Sequence, residues 1–335
     1  MKINISSRDL SYEIIYEKGA LSQADLFLDL DRKALIVTDS GVPEAYAKTV
    51  AARCTQAFIV TIPEGEASKC LDNYLLILKK MLDENFTRKD CVIAVGGGVC
   101  GDLAAFAASC YMRGLTFYNI PTTVLSMVDS SIGGKTAIDF EGVKNVVGSF
   151  YQPSAVLIDT DVLKTLVDRQ LNAGLAEAIK MAATSDRELF EDLENCDDYR
   201  QNIEQIIKRA NEIKKRVVEE DPEEKGLRKV LNFGHTVGHA IEAAAGGKLL
   251  HGECVAIGML LMCSDEVRER LVKILKKCSL PTTCDYDTSK LTDIIKHDKK
   301  STGDGVSCVY VDRIGEFEFR TMTWDEIAAL NKGRK

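Results

Sequence analysis

The alternation of strand-like and helix-like segments in the first half of the chain is the feature that most constrains its fold. Helical spacing of apolar residues between Ser68 and Glu84 predicts a helix with Ser68 as its N-cap, and a second helix is expected near Asp102. Short apolar runs predict buried strands at residues 34–38, 57–62, 91–95, 115–120 and 155–158. Strands that alternate with helices in this way predict a parallel sheet with helices on both faces.

The strand signal fades after about residue 165. Apolar periodicity then predicts helices at residues 174–184, 187–193, 203–218, 236–245 and 255–267, with short strands at 306–311 and 316–320. We therefore expect an α/β protein of two domains. Residues 1–167 would form a Rossmann-like α/β domain with a parallel sheet, and residues 168–335 a mainly helical domain.

Composition excludes several classes of protein. The net charge is −8 and there is no basic arm, so nucleic acid is not expected as a partner. The eleven cysteines are scattered without a Cys-x-x-Cys pair, which favours reduced thiols in the cytoplasm. The first residues lack a signal-peptide core, and the longest apolar run, near residues 254–263, is too short to span a membrane.

Three of the four histidines fall within seventeen residues of one another. His235 and His239 are four residues apart and would share one face of a helix, while residues 246–247, both glycine, can end that helix. His251 would then lie at the start of the next helix. Imidazoles that converge in this way are typical of a divalent metal site, which usually adds a carboxylate or a third histidine. The alternative is a set of core or capping histidines.

A glycine-rich turn follows the strand at residues 91–95. Gly96, Gly98 and Gly101 match the G-x-G-x-x-G pattern, in which small residues let the main chain approach a pyrophosphate at a helix N-terminus. The match does not lie in the first strand-helix unit, and no acidic residue follows at a clear strand end. A tight packing turn, with Asp102 merely capping a helix, is the alternative.

Further charged side chains are candidates for a binding site. Residues 133–136 partly match a phosphate-binding P-loop, but Asp129 stands where the first glycine is required, so we expect a glycine-rich loop that presents Lys135. Glu177 and Lys180 share a helical face, where an exposed ion pair is the simplest expectation. Lys214 lies beside an apolar stripe, so its head group would reach a cleft.

In this order the motifs resemble the 3-dehydroquinate synthase family. The resemblance runs from about residue 37 to residue 314 and rests on residues 96–102, 112–114, 121–125, 128–136, 144–145, 150–153, 176–180, 226–228, 231–236, 251–253 and 297–300. It implies an NAD-binding α/β domain followed by a helical metal-binding domain.

The resemblance also implies a role for each matching residue. One divalent ion, zinc or cobalt, would be held by Glu177, His235 and His251, with His239 facing the substrate instead. NAD contacts would come from Asp39, Glu66, Lys69, Gly97, Gly98, Val99, Asp102, Thr122, Thr123, Leu125, Thr165 and Leu166. Catalytic groups would be Asp129, Lys135, Lys180, Glu224 and His239, and further substrate contacts would come from Arg113, Asn145, Lys214, Arg228, Asn232 and one of Lys299 and Lys300. Arg113 would reach the site of a neighbouring subunit, which implies a homodimer.

The activity implied is conversion of the small sugar phosphate 3-deoxy-D-arabino-heptulosonate 7-phosphate to 3-dehydroquinate and phosphate. NAD would be reduced and reoxidised within each turnover. Two related activities are the alternatives, a sister sugar-phosphate cyclase and a metal-dependent polyol dehydrogenase. Arg228 and Asn232 favour a carboxylated substrate over either. A structural zinc protein is the non-enzymatic alternative.

Overall fold

The computed structural model describes residues 1–6, 11–283, 286, 288–296, 301–302 and 305–330. The chain divides into two compact units, Met1–Leu166 and Val167–Lys335.

The first unit contains nine strands and three helices among its described residues. The strands are β1 Lys2–Ser6, β2 Ser11–Tyr16, β3 Lys33–Asp39, β4 Gln56–Ile62, β5 Cys91–Gly96, β6 Thr116–Pro121, β7 Lys135–Phe140, β8 Val143–Phe150 and β9 Ala155–Ile158. The helices are α1 Glu44–Ala51, α2 Leu71–Asp83 and α3 Gly98–Cys110.

Seven of these strands form one sheet in the order β1-β2-β9-β6-β5-β3-β4. Every neighbouring pair is parallel except β1 and β2, which are antiparallel. All six residues of β5 are buried, as expected for a strand covered on both faces. The five strands expected from apolar runs are therefore confirmed as β3, β4, β5, β6 and β9, and the expected α/β class with a parallel sheet is confirmed.

Several local expectations for this unit were wrong. Ser68 lies in a separate 3₁₀ turn, and α2 begins only at Leu71. Helix α3 begins at Gly98, one turn before Asp102, because the chain turns directly from β5 into the helix. Lys135 does not lie in a glycine-rich loop: it begins β7, which pairs with β8 in a separate two-stranded sheet.

The second unit is mainly helical. Its helices are α4 Asp168–Ser185, α5 Arg187–Asn195, α6 Tyr199–Glu220, α7 His235–Ala245, α8 His251–Leu261, α9 Asp265–Lys277, α10 Thr288–Lys296 and α11 Trp324–Ala329. Its strands are β10 Ser301–Thr302, β11 Gly305–Tyr310 and β12 Glu318–Thr323, which form one antiparallel sheet.

The single helix expected at residues 255–267 was wrong. Two helices share this stretch, since α8 ends at Leu261 and α9 begins at Asp265. The break occurs because the Ser264 hydroxyl accepts a hydrogen bond from the Val267 main-chain N–H at 3.3 Å and so caps α9. Within the described part of the chain, no helix combines the length and the apolar character needed to cross a membrane.

Candidate functional site

Helices α7 and α8, which carry the histidines, meet at a main-chain contact. A Cβ atom placed on Gly258 of α8 would lie 1.9 Å from the carbonyl oxygen of Gly234, so only glycine fits. Gly234 immediately precedes α7, which begins at His235, and α8 begins at His251. The ring centroids of these two histidines are 5.2 Å apart. The expectation that Gly246 ends α7 is confirmed, because Gly246 adopts the left-handed conformation at its C-cap.

Glu177 on α4 completes a group of three converging side chains. Its Oε1 atom lies 3.6 Å from His235 Nε2 and 3.5 Å from His251 Nε2. This oxygen is buried and has no hydrogen-bond partner, whereas Oε2 accepts a hydrogen bond from Lys180 Nζ. The exposed Glu177–Lys180 ion pair expected from the sequence was wrong: both side chains are fully buried, because α4 is buried along nearly its whole length.

In both His235 and His251, a contact at Nδ1 fixes the orientation of the ring and so the direction in which Nε2 points. His235 Nδ1 lies 3.1 Å from the carbonyl oxygen of Phe233, which can only accept, so Nδ1 carries the proton. His251 Nδ1 lies 3.1 Å from Glu242 Oε2, the arrangement of a carboxylate that orients a metal-bound histidine. In both residues Nε2 is therefore the nitrogen turned towards Glu177 Oε1.

This donor set fits a zinc or cobalt ion. Ligand atoms about 2.0–2.2 Å from a tetrahedral ion lie about 3.3–3.6 Å from one another, which is the spacing observed here. A buried carboxylate oxygen without a hydrogen bond is costly unless a cation compensates for its desolvation. His239 offers a second ligand set, since donor nitrogens of His235, His239 and His251 lie within 4.8 Å of one another. We favour Glu177 because its Oε1 is the atom that requires a cation.

The electrostatics of the three residues agree with this assignment. Burial alone would raise the pKa of Glu177, but Lys180 and His251 lower it to about 2, so it is an anion. Burial lowers the pKa of His235 well below its usual range, which leaves it neutral and able to bind a metal. Burial would also lower the pKa of His251, but Glu177 and Glu242 raise it to about 10. An ion would displace that proton, so metal binding should release protons.

Predicted substrate contacts of the second unit lie around the turn before α7. Arg228 is buried, and its Nη1 donates to the carbonyl oxygen of Pro222 at 2.6 Å. Asn232 Nδ2 donates to Glu224 Oε1 at 2.6 Å, so the structure brings these two predicted residues together. Lys214 on α6 is buried. Lys299 and Lys300 lie outside the described residues, and His297 does as well.

The predicted NAD contacts of the first unit follow the carboxyl ends of five parallel strands. Asp39 ends β3, and the other predicted contacts follow β4, β5, β6 and β9: Glu66, Lys69, Gly97, Gly98, Val99, Asp102, Thr122, Thr123, Leu125, Thr165 and Leu166. Parallel strands end at one edge of their sheet, where α/β folds bind nucleotides. The N-terminus of α3, with Gly97 as its N-cap, lies at this edge and favours a phosphate group. The residues present therefore fit a dinucleotide.

A buried lysine joins two of the predicted binding regions. Lys69 Nζ donates to Asp102 Oδ2 and to Asn145 Oδ1. Burial alone would lower the pKa of Lys69, but the Asp102 carboxylate raises it, so the lysine is charged. Asp102 therefore pairs with Lys69 instead of only capping a helix. Asn145 lies in β8 and donates its main-chain N–H to Asp139 Oδ1 at 2.8 Å, while Asp129 lies in a short π-helical turn, Ser126–Ser130.

Sequence reasoning missed Glu242, the partner of His251. The signal was present, because Glu242 follows His239 by three residues and His235 by seven, and so lies on the same face of α7. Helical spacing alone did not distinguish Glu242 from a solvent-exposed glutamate on the surface of α7.

Family models match most of the chain. The model described as 3-dehydroquinate synthase N-terminal matches residues 59–173, and the one described as 3-dehydroquinate synthase C-terminal matches residues 174–301. The chain belongs to the 3-dehydroquinate synthase family. It is 39% identical over 351 residues to the 3-dehydroquinate synthase of Enterococcus faecalis, covering 98% of each chain. It is 40% identical over 349 residues to that of Streptococcus suis, again covering 98% of each.

Solved structures agree with membership of the 3-dehydroquinate synthase family. A 2-deoxy-scyllo-inosose synthase complexed with carbaglucose-6-phosphate, NAD⁺ and Co²⁺ superposes with a TM-score of 0.90 at 25% identity, covering 98% of this chain and 99% of that one. A 2-epi-5-epi-valiolone synthase from Streptomyces hygroscopicus with NAD⁺ and Zn²⁺ bound gives 0.85 at 28% identity, covering 97% of each chain. A protein described as a probable glycerol dehydrogenase from Sinorhizobium meliloti gives 0.62 at 16% identity, over 95% of this chain and 94% of that one, which is a likeness of fold alone.

These comparisons confirm the resemblance stated from the sequence. The predicted lyase of the 3-dehydroquinate synthase type is confirmed. The two solved cyclases contain NAD⁺ together with Co²⁺ or Zn²⁺, the same groups that the sequence predicts for this chain. The alternatives of a sister cyclase and a polyol dehydrogenase are not supported. The individual site residues stay predictions.

Proposed function

We propose that the chain converts 3-deoxy-D-arabino-heptulosonate 7-phosphate to 3-dehydroquinate and phosphate, with NAD and one divalent ion held by the residues assigned above. The observation that carries the proposal is the buried Glu177 Oε1, which has no hydrogen bond and faces the Nε2 atoms of His235 and His251. When bound, the ion supplies Lewis-acid polarisation of a substrate hydroxyl, and NAD supplies a reversible hydride acceptor.

The residues around the ion would set its charge and geometry. Glu177 supplies one negative charge and the two histidines supply neutral donors, so the site keeps a net positive charge when a divalent ion is present. Lys180 holds Glu177 Oε2 and so leaves Oε1 as the oxygen available for coordination. Glu242 would orient the His251 ring.

Each unit would contribute separately to substrate recognition. In the second unit, the Arg228 guanidinium matches a carboxylate in two-point geometry, with Lys214 adding charge and Asn232 and His239 donating hydrogen bonds. In the first unit, Lys135 and Asn145 would bind phosphate oxygens. Glu224 and Asp129 would accept or relay protons, and one of Lys299 and Lys300 would add a cation. Cations at these positions would attract an anionic sugar phosphate despite the net charge of −8.

Release of inorganic phosphate from the heptulosonate phosphate tests the proposal. Release should require NAD, should stop when a chelator removes the metal, and should return when Zn²⁺ or Co²⁺ is added. Reduced nicotinamide should not accumulate, because each turnover consumes the hydride it produces. Reduced cofactor forming in proportion to product would contradict the proposal and indicate a dehydrogenase. The chelated protein should keep its circular dichroism spectrum, whereas a structural zinc protein would unfold.

We further propose that two copies associate through the β7–β8 sheet. Four large apolar side chains of this sheet are exposed to solvent: Phe140, Val143, Val147 and Phe150. Exposed apolar clusters of this kind mark protein contacts. The end of β8 is joined to α3, because Ser149 Oγ donates to Ser109 Oγ at 2.9 Å. Shortly after α3, Met112 and Arg113 both have positive φ angles, 48° and 68°, and both side chains are exposed. Arg113 would therefore be free to reach a neighbouring subunit.

We place the enzyme in the cytoplasm, where its cysteines would stay reduced.

Phe150→Asp should convert the dimer to a monomer, because a carboxylate would be desolvated in the proposed contact. Light scattering after size-exclusion chromatography measures the change. Leu82→Asp on α2 is the matched control, since Leu82 is also exposed and apolar but is not part of the β7–β8 sheet. This variant should leave the mass of the particle unchanged. A wild-type protein that is monomeric at micromolar concentration would contradict the assignment.

A further inference from the structure

The first turn of α8, which carries His251, is seated directly on α4, which carries Glu177. A Cβ atom on Gly252 would lie 1.9 Å from the carbonyl oxygen of Ala173, so the two main chains are in contact. Ala173 precedes Glu177 by four residues, which is about one helical turn. The separation between the proposed ligands Glu177 and His251 therefore depends on how firmly this turn is held against α4.

An ion pair joins the same two helices beside this contact. Arg169 on α4 donates from Nε to Glu253 Oε1 and from Nη2 to Glu253 Oε2, both at 2.7 Å. Arg169 Nη2 also donates to the carbonyl oxygen of Lys248 at 2.8 Å. Glu253 Oε2 in turn accepts the main-chain N–H of Leu250 at 2.8 Å. These bonds attach residues on both sides of His251 to the start of α4.

We propose that Arg169 and Glu253 are positioning residues that set the affinity of the site for its divalent ion. This inference rests on the proposed metal site. Glu242 holds the ring of His251, whereas the Arg169–Glu253 pair holds the main chain from which that ring projects. Ligand groups must be kept within about 0.5 Å of the geometry that an ion requires. A two-point Arg–carboxylate bond restricts both the distance and the relative orientation of the two groups, whereas a single contact leaves their orientation free.

The location of Glu253 separates this pair from an ordinary surface ion pair. The Glu253 side chain is only 10% exposed, although that of Arg169 is 57% exposed. Glu253 lies two residues after His251: both of its carboxylate oxygens accept hydrogen bonds from Arg169, and Oε2 also accepts the main-chain N–H of Leu250, the residue before the histidine. Capping of α8 would need only the bond between Glu253 Oε2 and the Leu250 N–H. The bonds of Glu253 to Arg169 therefore serve to attach this turn to α4.

Arg169→Gln and Glu253→Gln test the proposal through the affinity for Co²⁺. Metal-free protein is titrated with Co²⁺, and binding is followed by the visible absorption of the coordinated ion. Each variant should bind Co²⁺ about 10–100-fold more weakly than wild type, the range typical for partners that orient metal ligands. The affinity for NAD should be unchanged, and turnover should recover at saturating Co²⁺. Arg169→Gln changes an exposed side chain and so guards against a Glu253 variant that fails to fold.

The matched control is Glu194→Gln. Glu194 forms a comparable two-point pair with Arg270 in the same unit, with Arg270 Nη2 donating to Glu194 Oε2 at 2.6 Å. It joins α5 and α9, neither of which carries a proposed ligand. This variant should keep the wild-type Co²⁺ affinity.

Three outcomes would overturn the inference. Co²⁺ affinity within twofold of wild type in both Arg169→Gln and Glu253→Gln would show that the pair does not position the site, while the metal site itself would stand. An equal loss in Glu194→Gln would assign the effect to general stability. A wild-type protein that binds no Co²⁺ would remove the proposed function together with this inference.

Discussion

Glu177→Gln should remove the divalent ion and with it the activity. We expect kcat/KM to fall by more than about 100-fold, which exceeds the 10–100-fold loss typical for residues that only orient metal ligands. Glutamine keeps the size of the side chain, but it replaces the anionic ligand with a neutral one. Only neutral donors would then face the ion, and the compensation between the Oε1 charge and the cation would be lost.

Glutamine at position 177 should leave the fold intact. Its amide oxygen still accepts a hydrogen bond from Lys180, although loss of the charge weakens that bond, and we expect a cost of about 1–3 kcal/mol in the free energy of unfolding. Co²⁺ titration and urea unfolding measure the two effects separately. Glu191→Gln is the control, because Glu191 forms an exposed pair with Arg187 on α5 and should change neither quantity. Wild-type Co²⁺ affinity in Glu177→Gln would contradict the ligand assignment.

Arg228→Lys should selectively impair use of the carboxylated substrate. Lysine retains the charge but loses the planar fork that binds both carboxylate oxygens. The buried guanidinium is also fixed by its bond to Pro222, so its geometry is set before the substrate arrives. A lost charged hydrogen bond is worth about 1.5–3 kcal/mol, which corresponds to about a 10–150-fold decrease in kcat/KM.

Steady-state kinetics of phosphate release measure this decrease. Arg209→Lys is the matched control: Arg209 is paired with Asp186 at 2.9 Å in the same unit and has no predicted contact with substrate, so kcat/KM should be unchanged. An unchanged kcat/KM in Arg228→Lys would contradict the assignment. Turnover of a hexose 6-phosphate, which lacks the carboxylate, at a rate comparable to that of the heptulosonate phosphate would contradict it as well.

The sheet was predictable because its signal is local. Strands β3, β5 and β6 are short apolar runs that are buried on both faces, and such runs stand out in any sequence. Strands β7 and β8 gave no such signal, since most of their residues are exposed and the apolar pattern does not alternate. The break between α8 and α9 was missed because a single serine caps the start of α9, and apolar residues continue on both sides of it.

The site was predictable only in part for a different reason. The histidine cluster stands out because histidine is rare and the spacing of His235 and His239 is helical. Glu177 lies 58 residues before His235, so no spacing rule connects them, and only the family resemblance supplied it. The burial of the Glu177–Lys180 pair depends on the elements that pack around α4. Helical spacing in the sequence shows that the two residues share a face, but it does not show what covers that face.

The contact between Gly258 and Gly234 has a consequence for transplanting this site. Side chains exchange conformers in thermal motion, but main-chain atoms touching across two helices have no alternative arrangement to adopt. The spacing of the two main-chain segments that carry the imidazoles is therefore set by the backbone, and neighbouring side chains such as Glu242 only orient the rings on it. Grafting the histidines onto another scaffold would first require copying the contact between Gly234 and Gly258.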